Sequence, residues 1–466
     1  MINALVYMLL AITFASEWLA TLGVPRVVTL APEIIAAAVM PIVALRLAKD
    51  RSIIIPPKYI FLFGTMFVLI LAGIVTNSVQ SGAIFAGLRT YFRYAPIFLL
   101  PLVYYFSNAQ IKGYLKFVLV LALLQVPLAV YQKITAPNAS GDHIVGTVGT
   151  SGTLSIFLVA SVAMLTAFLV KRRIRLFHYI PLVLLLFIPA AINETVVTFV
   201  LLPFAFVLPV LLVPTDKSRL RLLIPMGAFG ALVIGVFAVV YDSQYGDRWG
   251  GEGGGLGVMI TEGRALDFLY RGAEVDARAE EGQSTMAAVG RLDAVVMPLK
   301  VVADPVKHWL GNGIGNAQAS FHELFEGELT EEAAMYGIDF TAASKLMWEL
   351  GIIGLGLSFL FFWFVFRDSR QVLTRSDFAG AVALGWATIV PILAATMFYT
   401  SLVDKTSLGY LMWFMSGYVI SKRCQLDSGY AQEEEVEKAP SPRGYRPGMP
   451  GVAYGTTKLR PYNRPY

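Results

Sequence analysis

The sequence has a single cysteine, Cys424, so a disulfide within the chain is excluded. Charge is scarce: Asp, Glu, Lys and Arg make up 15% of residues against 56% hydrophobic ones, with a mean hydropathy of +0.64. That balance excludes an ordinary soluble globular chain and makes the bilayer the expected solvent. Histidine occurs four times (His143, His178, His308, His322), and no His, Cys and carboxylate grouping has zinc spacing. Extended hydrophilic sequence is also rare. The one long stretch, residues 242–344, is set into a nearly continuous series of apolar segments, and it contains no Ser-His-Asp or nucleophile-elbow pattern.

Apolar runs long enough to span, about 20 residues each, fall at 3–22, 27–45, 59–76, 84–106, 114–131, 153–170, 177–193, 195–213, 222–241, 345–366, 378–398 and 406–421. The expected fold is an all-α polytopic membrane protein with about 12 transmembrane helices. A large extracytoplasmic loop separates the ninth and tenth spans. This divides the chain into a membrane domain (1–241), the loop (242–344), a second membrane domain (345–421) and a tail (422–466). Met1 is followed by no basic n-region or small-residue cleavage site, so the first run is expected to be a retained span.

Lysine and arginine resist translocation, and their distribution sets the expected orientation. One set of connections holds Arg46, Lys49, Arg51 and Lys58; Lys112 and Lys116; Lys171, Arg172, Arg173 and Arg175; Lys217, Arg219 and Arg221; Arg367, Arg370 and Arg375; and Lys422 and Arg423. The alternate short turns carry only Arg26, Lys133 and Lys405. Both termini are therefore expected in the cytoplasm and residues 242–344 outside. The loop holds 17 acidic and 7 basic side chains, a net of −10, within a chain of +5, leaving +15 for the remainder. The positive balance belongs to the cytoplasmic face and calls for no nucleic-acid partner. The tail, with Glu433, Glu434, Glu435 and Glu437 ahead of a Pro, Gly and Tyr mixture, cannot bury a core. Its tyrosines are docking or phosphorylation points on a regulatory reading and a solvated surface on the plainer one.

Three features carry candidate chemistry. In the loop, Leu292, Val295, Val296, Leu299 and Val302 recur at helical spacing opposite Arg291, Asp293 and Lys300, as in a helix lying on or docked against the outer membrane surface. Gly311, Gly313 and Gly315 follow, and a tight turn between two loop helices is the favoured reading. A nucleotide-binding loop is rejected, because no strand precedes it and no Lys-Ser/Thr follows. Arg89 and Arg93 lie four residues apart on one helix face, where two guanidiniums either grip a diphosphate or snorkel to head groups. Lys345 and Glu349 stand at i and i+4 where the tenth span begins. They either pair or, for Glu349, complement the helix dipole.

These segments together resemble the O-antigen ligase and O-antigen polymerase superfamily of bacterial envelope polysaccharide assembly. HIVGTVGTSGTLSIFL (143–158) looks like the family's glycine and threonine stretch leading into a helix. Residues 290–315 look like its loop arginine, amphipathic segment, proline and glycine turn, with Arg291 on the arginine. WELGIIGLG (348–356) looks like its acid before a Gly-Ile-Ile-Gly helix start. Two departures stand out: Phe340 and Thr341 occupy the place of a His-Asn pair, and Asn193 and Glu194 that of a serine-arginine.

The resemblance implies metal-independent, cofactor-free glycosyltransfer at the outer face of the bacterial inner membrane. An undecaprenyl-diphosphate-linked glycan is the implied donor, and a glycan or lipid hydroxyl the acceptor. Arg291, Arg89 and Arg93, with Lys345 beside them, would hold the donor diphosphate. Glu349 or His322 would deprotonate the acceptor, the apolar helices would take the polyprenyl chain, and the acidic loop would act as a lid. Polymerisation is the leading expectation and ligation to a lipid or protein the alternative. A lipid-linked glycan transporter, or a scaffold that meets chain-length or export proteins through the tail, is the reading from another class.

Overall fold

The computed structural model describes residues 2–50, 55–136, 141–193, 195–213, 218–250, 289–317, 325–330, 336–401 and 406–427. Among them the chain is helical throughout, with no strand. The helices are α1 (Ile2–Thr21), α2 (Ala31–Lys49), α3 (Pro57–Asn77), α4 (Ser81–Phe92), α5 (Ala95–Val103), α6 (Asn108–Thr135), α7 (Ser151–Val170) and α8 (Leu176–Ile192). They continue with α9 (Val197–Leu212), α10 (Ser218–Gly250), α11 (Arg291–Val301), α12 (Pro305–Leu310), α13 (Ala342–Val372), α14 (Phe378–Thr396) and α15 (Thr406–Asp427). Short 3-10 turns cover Arg26–Leu30 and Gly141–His143.

Among the described residues, eight helical segments are long and apolar enough to cross a membrane: those of α1, α2, α3, α6, α7, α10, α13 and α14. The other four expected spans are not among them. α8 and α9 are apolar but have 17 and 16 residues. The fourth run is divided into α4 and α5 at Arg93 and Tyr94, and α15 carries Lys422, Arg423 and Asp427. α10 runs to Gly250, past its expected end at 241.

The centre of the bundle is α7 and α14, with 72% and 78% of their apolar windows buried against 22–39% for the other six. Their sequences explain this. α7 is apolar on every face, and α14 is rich in Ala and Gly, so neighbouring backbones approach closely. Gly385 is an example: a Cβ there would stand 2.3 Å from the Met164 sulfur. Helix starts are set by side-chain caps, Thr150 on α7, Thr341 on α13 and Asp377 on α14, each accepting from a backbone N–H.

Among the described residues, several of the basic connections meet at one end of the bundle. Gln110 donates to Asn3 at 3.0 Å, Arg46 lies over the Tyr104 ring, and Lys422 lies over Tyr105. Lys58 pairs at 2.5 Å with the buried Asp368 carboxylate, which also accepts from Tyr59 at 2.8 Å. Lys171 donates to the Leu373 and Arg375 carbonyls at 2.6 and 2.9 Å, and burial pulls its ammonium below the usual lysine range.

The loop helix packs on the bundle through part of its expected stripe. α11 docks on α13 through Ala294, Val295 and Pro298, while Val296 and Leu299 of the expected apolar stripe are exposed. Pro298 within the helix and the presence of Trp348 explain the difference: Met297 and Val302 pack on a cluster of Trp348, Ala317 and Ile338. A protein surface, supplied by the start of α13, is what this face covers.

Candidate functional site

The site is organised by a break in α13. Gly351 has φ 65° and ψ −166°, a region open essentially to glycine alone. In an unbroken helix the carbonyls of Trp348 and Glu349 would accept from residues 352 and 353. Here the Trp348 carbonyl accepts from the Asn312 N–H at 2.7 Å and its side-chain Nδ2 at 3.1 Å. The Glu349 carbonyl accepts from the Gly313 N–H at 3.0 Å.

Gly311, Gly313 and Gly315 do form a turn after the short loop helix α12, and the turn is buried. Residues 311–317 are all buried, wedged between α3, α4 and the broken helix. The three glycines have φ of 73°, 92° and 80° and sit where a side chain has no room. A Cβ would meet the Glu349 carbonyl carbon at 2.3 Å from Gly311, Val79 at 2.4 Å from Gly313 and the Ala83 oxygen at 1.8 Å from Gly315. Asn77, at the end of α3, donates to the Gly311 carbonyl at 3.2 Å, and Asn316 donates to the Asn312 carbonyl at 2.8 Å. Irregular backbone among apolar helices is tolerated only when protein groups satisfy it in this way. Next to the turn, Glu349 and Lys345 are buried at 0% and 2% exposure. Lys345 makes an ion pair with Asp339 at 3.6 Å.

Arg89 and Arg93 share one face, as their spacing predicts, but a carboxylate already lies between them. Arg89 holds Glu33 of α2 through Nε at 2.6 Å and Nη2 at 2.9 Å, and Arg93 reaches the same carboxylate at 2.9 Å. The pair is thus a triad of net charge +1. Glu33 occupies the face on which both the snorkelling and the diphosphate readings rest. The carboxylate carried its own signal, since an ionisable group within an apolar run needs a partner. The Arg93 guanidinium also lies 4.8 Å from the Tyr94 ring centre, and Tyr94 meets Tyr410 edge-on at 4.8 Å.

Arg291, at the start of α11, donates from Nε to the Tyr399 carbonyl at 3.1 Å and stands 4.6 Å above the Tyr399 ring. Burial pushes the Tyr399 phenol up, against the pull of Arg291. The same ring packs beside Gly152 at the start of α7, where Ser151 donates to Asp142 at 2.8 Å. The glycine and threonine stretch is tied down in turn by two glutamines of α6. Gln132 accepts from the Val145 and Gly146 N–H groups at 3.1 and 2.9 Å, and Gln125 from the Thr147 N–H at 2.8 Å. Asn193, in place of the expected serine, donates to Ser155 at 2.9 Å. Arg291 with Tyr399 and the Arg89, Arg93 and Glu33 triad are thus two groups at one end of the bundle.

An apolar cavity of about 320 Å³ is lined by α3, α4, α5, α13 and α15. Thr90 and Tyr94, which follow Arg89 and Arg93 in the chain, line it, as do Ala342 and Leu346, the latter following Lys345. Its interior is aromatic, with Phe98, Phe361 and Trp413 in mutual contact.

His322 lies outside the described residues, as do Glu194 and the tail tyrosines; His308 is engaged with the Val302 carbonyl at 2.8 Å. Among the described residues no group of three His, Cys, Asp or Glu side chains is arranged to hold a metal ion. Sequence reasoning missed Tyr399, Asn77, Asn312 and the partnership of Glu33. No family model matches this chain, and no curated protein matches it either.

Proposed function

We propose that the chain is a membrane glycosyltransferase acting on a polyprenyl-diphosphate-linked glycan at the outer face of a bacterial inner membrane. In this reading it makes twelve passes with both termini in the cytoplasm. The observation that supports the proposal is an apolar cavity whose lining includes Thr90, Tyr94 and Leu346, the chain neighbours of Arg89, Arg93 and Lys345. That arrangement suits an isoprenoid chain joined to a diphosphate, a ligand that is apolar along its length and anionic at one end.

The reaction breaks the bond between the anomeric carbon and the diphosphate oxygen and forms one from that carbon to an acceptor hydroxyl oxygen. The hydroxyl proton passes to a base, Glu349 or His322, and polyprenyl diphosphate leaves with its developing charge held by the arginines. Arg93 and Arg89 exchange Glu33 for the diphosphate as donor binds. Arg291 keeps Tyr399 and the start of α7 in place beside the acceptor. A growing glycan as acceptor makes the protein a polymerase, the leading form; a lipid or protein acceptor makes it a ligase.

A second reading, a transporter of the same lipid-linked glycan, is favoured by one observation, the discontinuous helix at Gly351. Reconstitution of the purified chain with polyprenyl-diphosphate-linked repeat units separates the readings. Chains longer than the input from wild type, lost in Arg291→Ala with the protein still folded, are expected. Movement of intact donor across the membrane without any new glycosidic bond overturns the enzyme.

A further inference from the structure

At the basic end of the bundle, a second cavity of about 650 Å³ opens between α6, α7, α14 and α15. Its rim carries Lys112 and Lys116 from α6 and Arg172 and Arg173 from the turn after α7. All four side chains are exposed, and no aspartate or glutamate lines the cavity. Arg173 is anchored to the Ser376 carbonyl, and Arg172 takes a left-handed backbone, φ 56°, that turns the chain out of α7 onto the rim. No ion pair among the described residues engages Lys112, Lys116 or Arg172. Below the rim the walls are apolar, from Phe168 through Met164 and Phe157 to Leu393. Counted along α7 from Arg172 to Phe157, the cavity extends roughly 22 Å into the bundle.

Four cations without a carboxylate above a deep apolar channel have one complementary ligand chemistry: an anionic head on a hydrocarbon chain. Basic pockets between helices on the cytoplasmic side are suited to anionic lipid head groups, and a volume of this size holds a chain-like ligand. We propose that this cavity is a binding site for an acyl chain of an anionic phospholipid, with the phosphate held by Lys112, Lys116, Arg172 and Arg173. The site is separate from the apolar cavity assigned to donor and stands whether or not the glycosyltransferase reading does. Bound lipid fills the space between α6 and α15 and couples the packing of the central helices to the composition of the inner leaflet.

The test is native mass spectrometry of the full chain, delipidated in detergent and titrated with phosphatidylglycerol or phosphatidylcholine. One retained phosphatidylglycerol is expected, held more tightly than phosphatidylcholine. Affinity should fall about fivefold for each rim charge removed in Lys112→Gln, Arg172→Gln and the double variant. These exposed positions leave folding intact, which far-ultraviolet circular dichroism checks. Equal affinity for the two lipids, or rim variants that bind as wild type does, overturns the site. Displacement by inorganic phosphate alone overturns the seated chain and leaves only an anion site. The acidic tail is the rival occupant. If Glu433→Gln, Glu434→Gln and Glu435→Gln together raise phosphatidylglycerol affinity in the full chain, the rim belongs to the tail and the proposal fails.

Discussion

Replacement of Gly351 by alanine tests the central geometry directly. At φ 65° and ψ −166° an alanine is strained by about 1–3 kcal/mol. Its Cβ would stand 2.3 Å from the Trp309 carbonyl oxygen and 2.7 Å from the Gly311 nitrogen, both backbone atoms that cannot swing aside, and overpacking of this kind costs a further ~1–3 kcal/mol. The alternative open to the chain is to straighten α13, returning the Trp348 and Glu349 carbonyls to residues 352 and 353. That orphans the Asn312 and Gly313 N–H groups at about 1–3 kcal/mol each. Either route gives about 4 kcal/mol, a large part of a typical stability of roughly 5–15 kcal/mol. Gly356→Ala, five residues on in the same helix with nothing within 4 Å of its Cβ, is the control and should be neutral or slightly stabilising. The assay is reversible unfolding in mixed detergent micelles with hydrogen exchange at the Asn312 and Gly313 amides. Equal stability of Gly351→Ala and Gly356→Ala, with both amides still protected, would refute the break as a structural necessity.

Two further outcomes follow from named contacts. Burial would raise the Asp377 carboxyl, but hydrogen bonds from Arg375 at 2.5 and 2.9 Å and from the Gly380 N–H at 2.9 Å hold it below its ordinary 3.8. A folded value below the unfolded one gives a contribution fully present above about pH 4 and lost as pH falls through the depressed value. Unfolding midpoints measured from pH 6 down to 3 should show that loss in wild type and not in Asp377→Asn. For the glycosyltransferase reading, Glu33→Gln removes the carboxylate that competes for Arg89 and Arg93. Geranylgeranyl diphosphate should then bind about tenfold more tightly by calorimetry, and Arg93→Ala should weaken it by a similar factor. An unchanged Kd in Glu33→Gln would show that the arginines do not meet the diphosphate.

What the sequence makes legible is set by locality. Apolar runs announce helices because every backbone group in hydrocarbon must be satisfied within its own segment, and the basic connections announce one end of the bundle because charge resists translocation. The glycine trio of 311, 313 and 315 is visible as a need for small residues. Its burial is not, because the contacts that fix it come from Asn77 and Ala83, more than 200 positions earlier, and from Glu349. The break at Gly351 is hidden for a related reason. WELGIIGLG reads as continuous helix, since a single glycine is tolerated there, and only the N–H groups of Asn312 and Gly313 make opening it favourable. Arg89 and Arg93 were legible as a pair by spacing, whereas Glu33 lies 56 residues before Arg89 and joins them only through the packing of α2.

The break also bears on which functional reading the molecule favours. In a transporter with discontinuous helices, freed carbonyls and half-helix ends are left for the coupling ion or substrate, and they shift between partners as the site changes its access. In this chain the Trp348 and Glu349 carbonyls are already taken by backbone and side-chain N–H groups of the glycine turn. The turn is itself pinned by Asn77 and by glycine contacts with α3 and α4. A break filled in this way gains rigidity and loses its capacity to bind an ion through those carbonyls. It holds Lys345 and Glu349 in fixed positions on a short half-helix, an arrangement that on the enzyme reading would position reacting groups. Flux of lipid-linked substrate through the same place would require those hydrogen bonds to open at each cycle. Persistent protection of the Asn312 and Gly313 amides during turnover is therefore the expected behaviour of the enzyme, and turnover-dependent exchange there is that of the transporter.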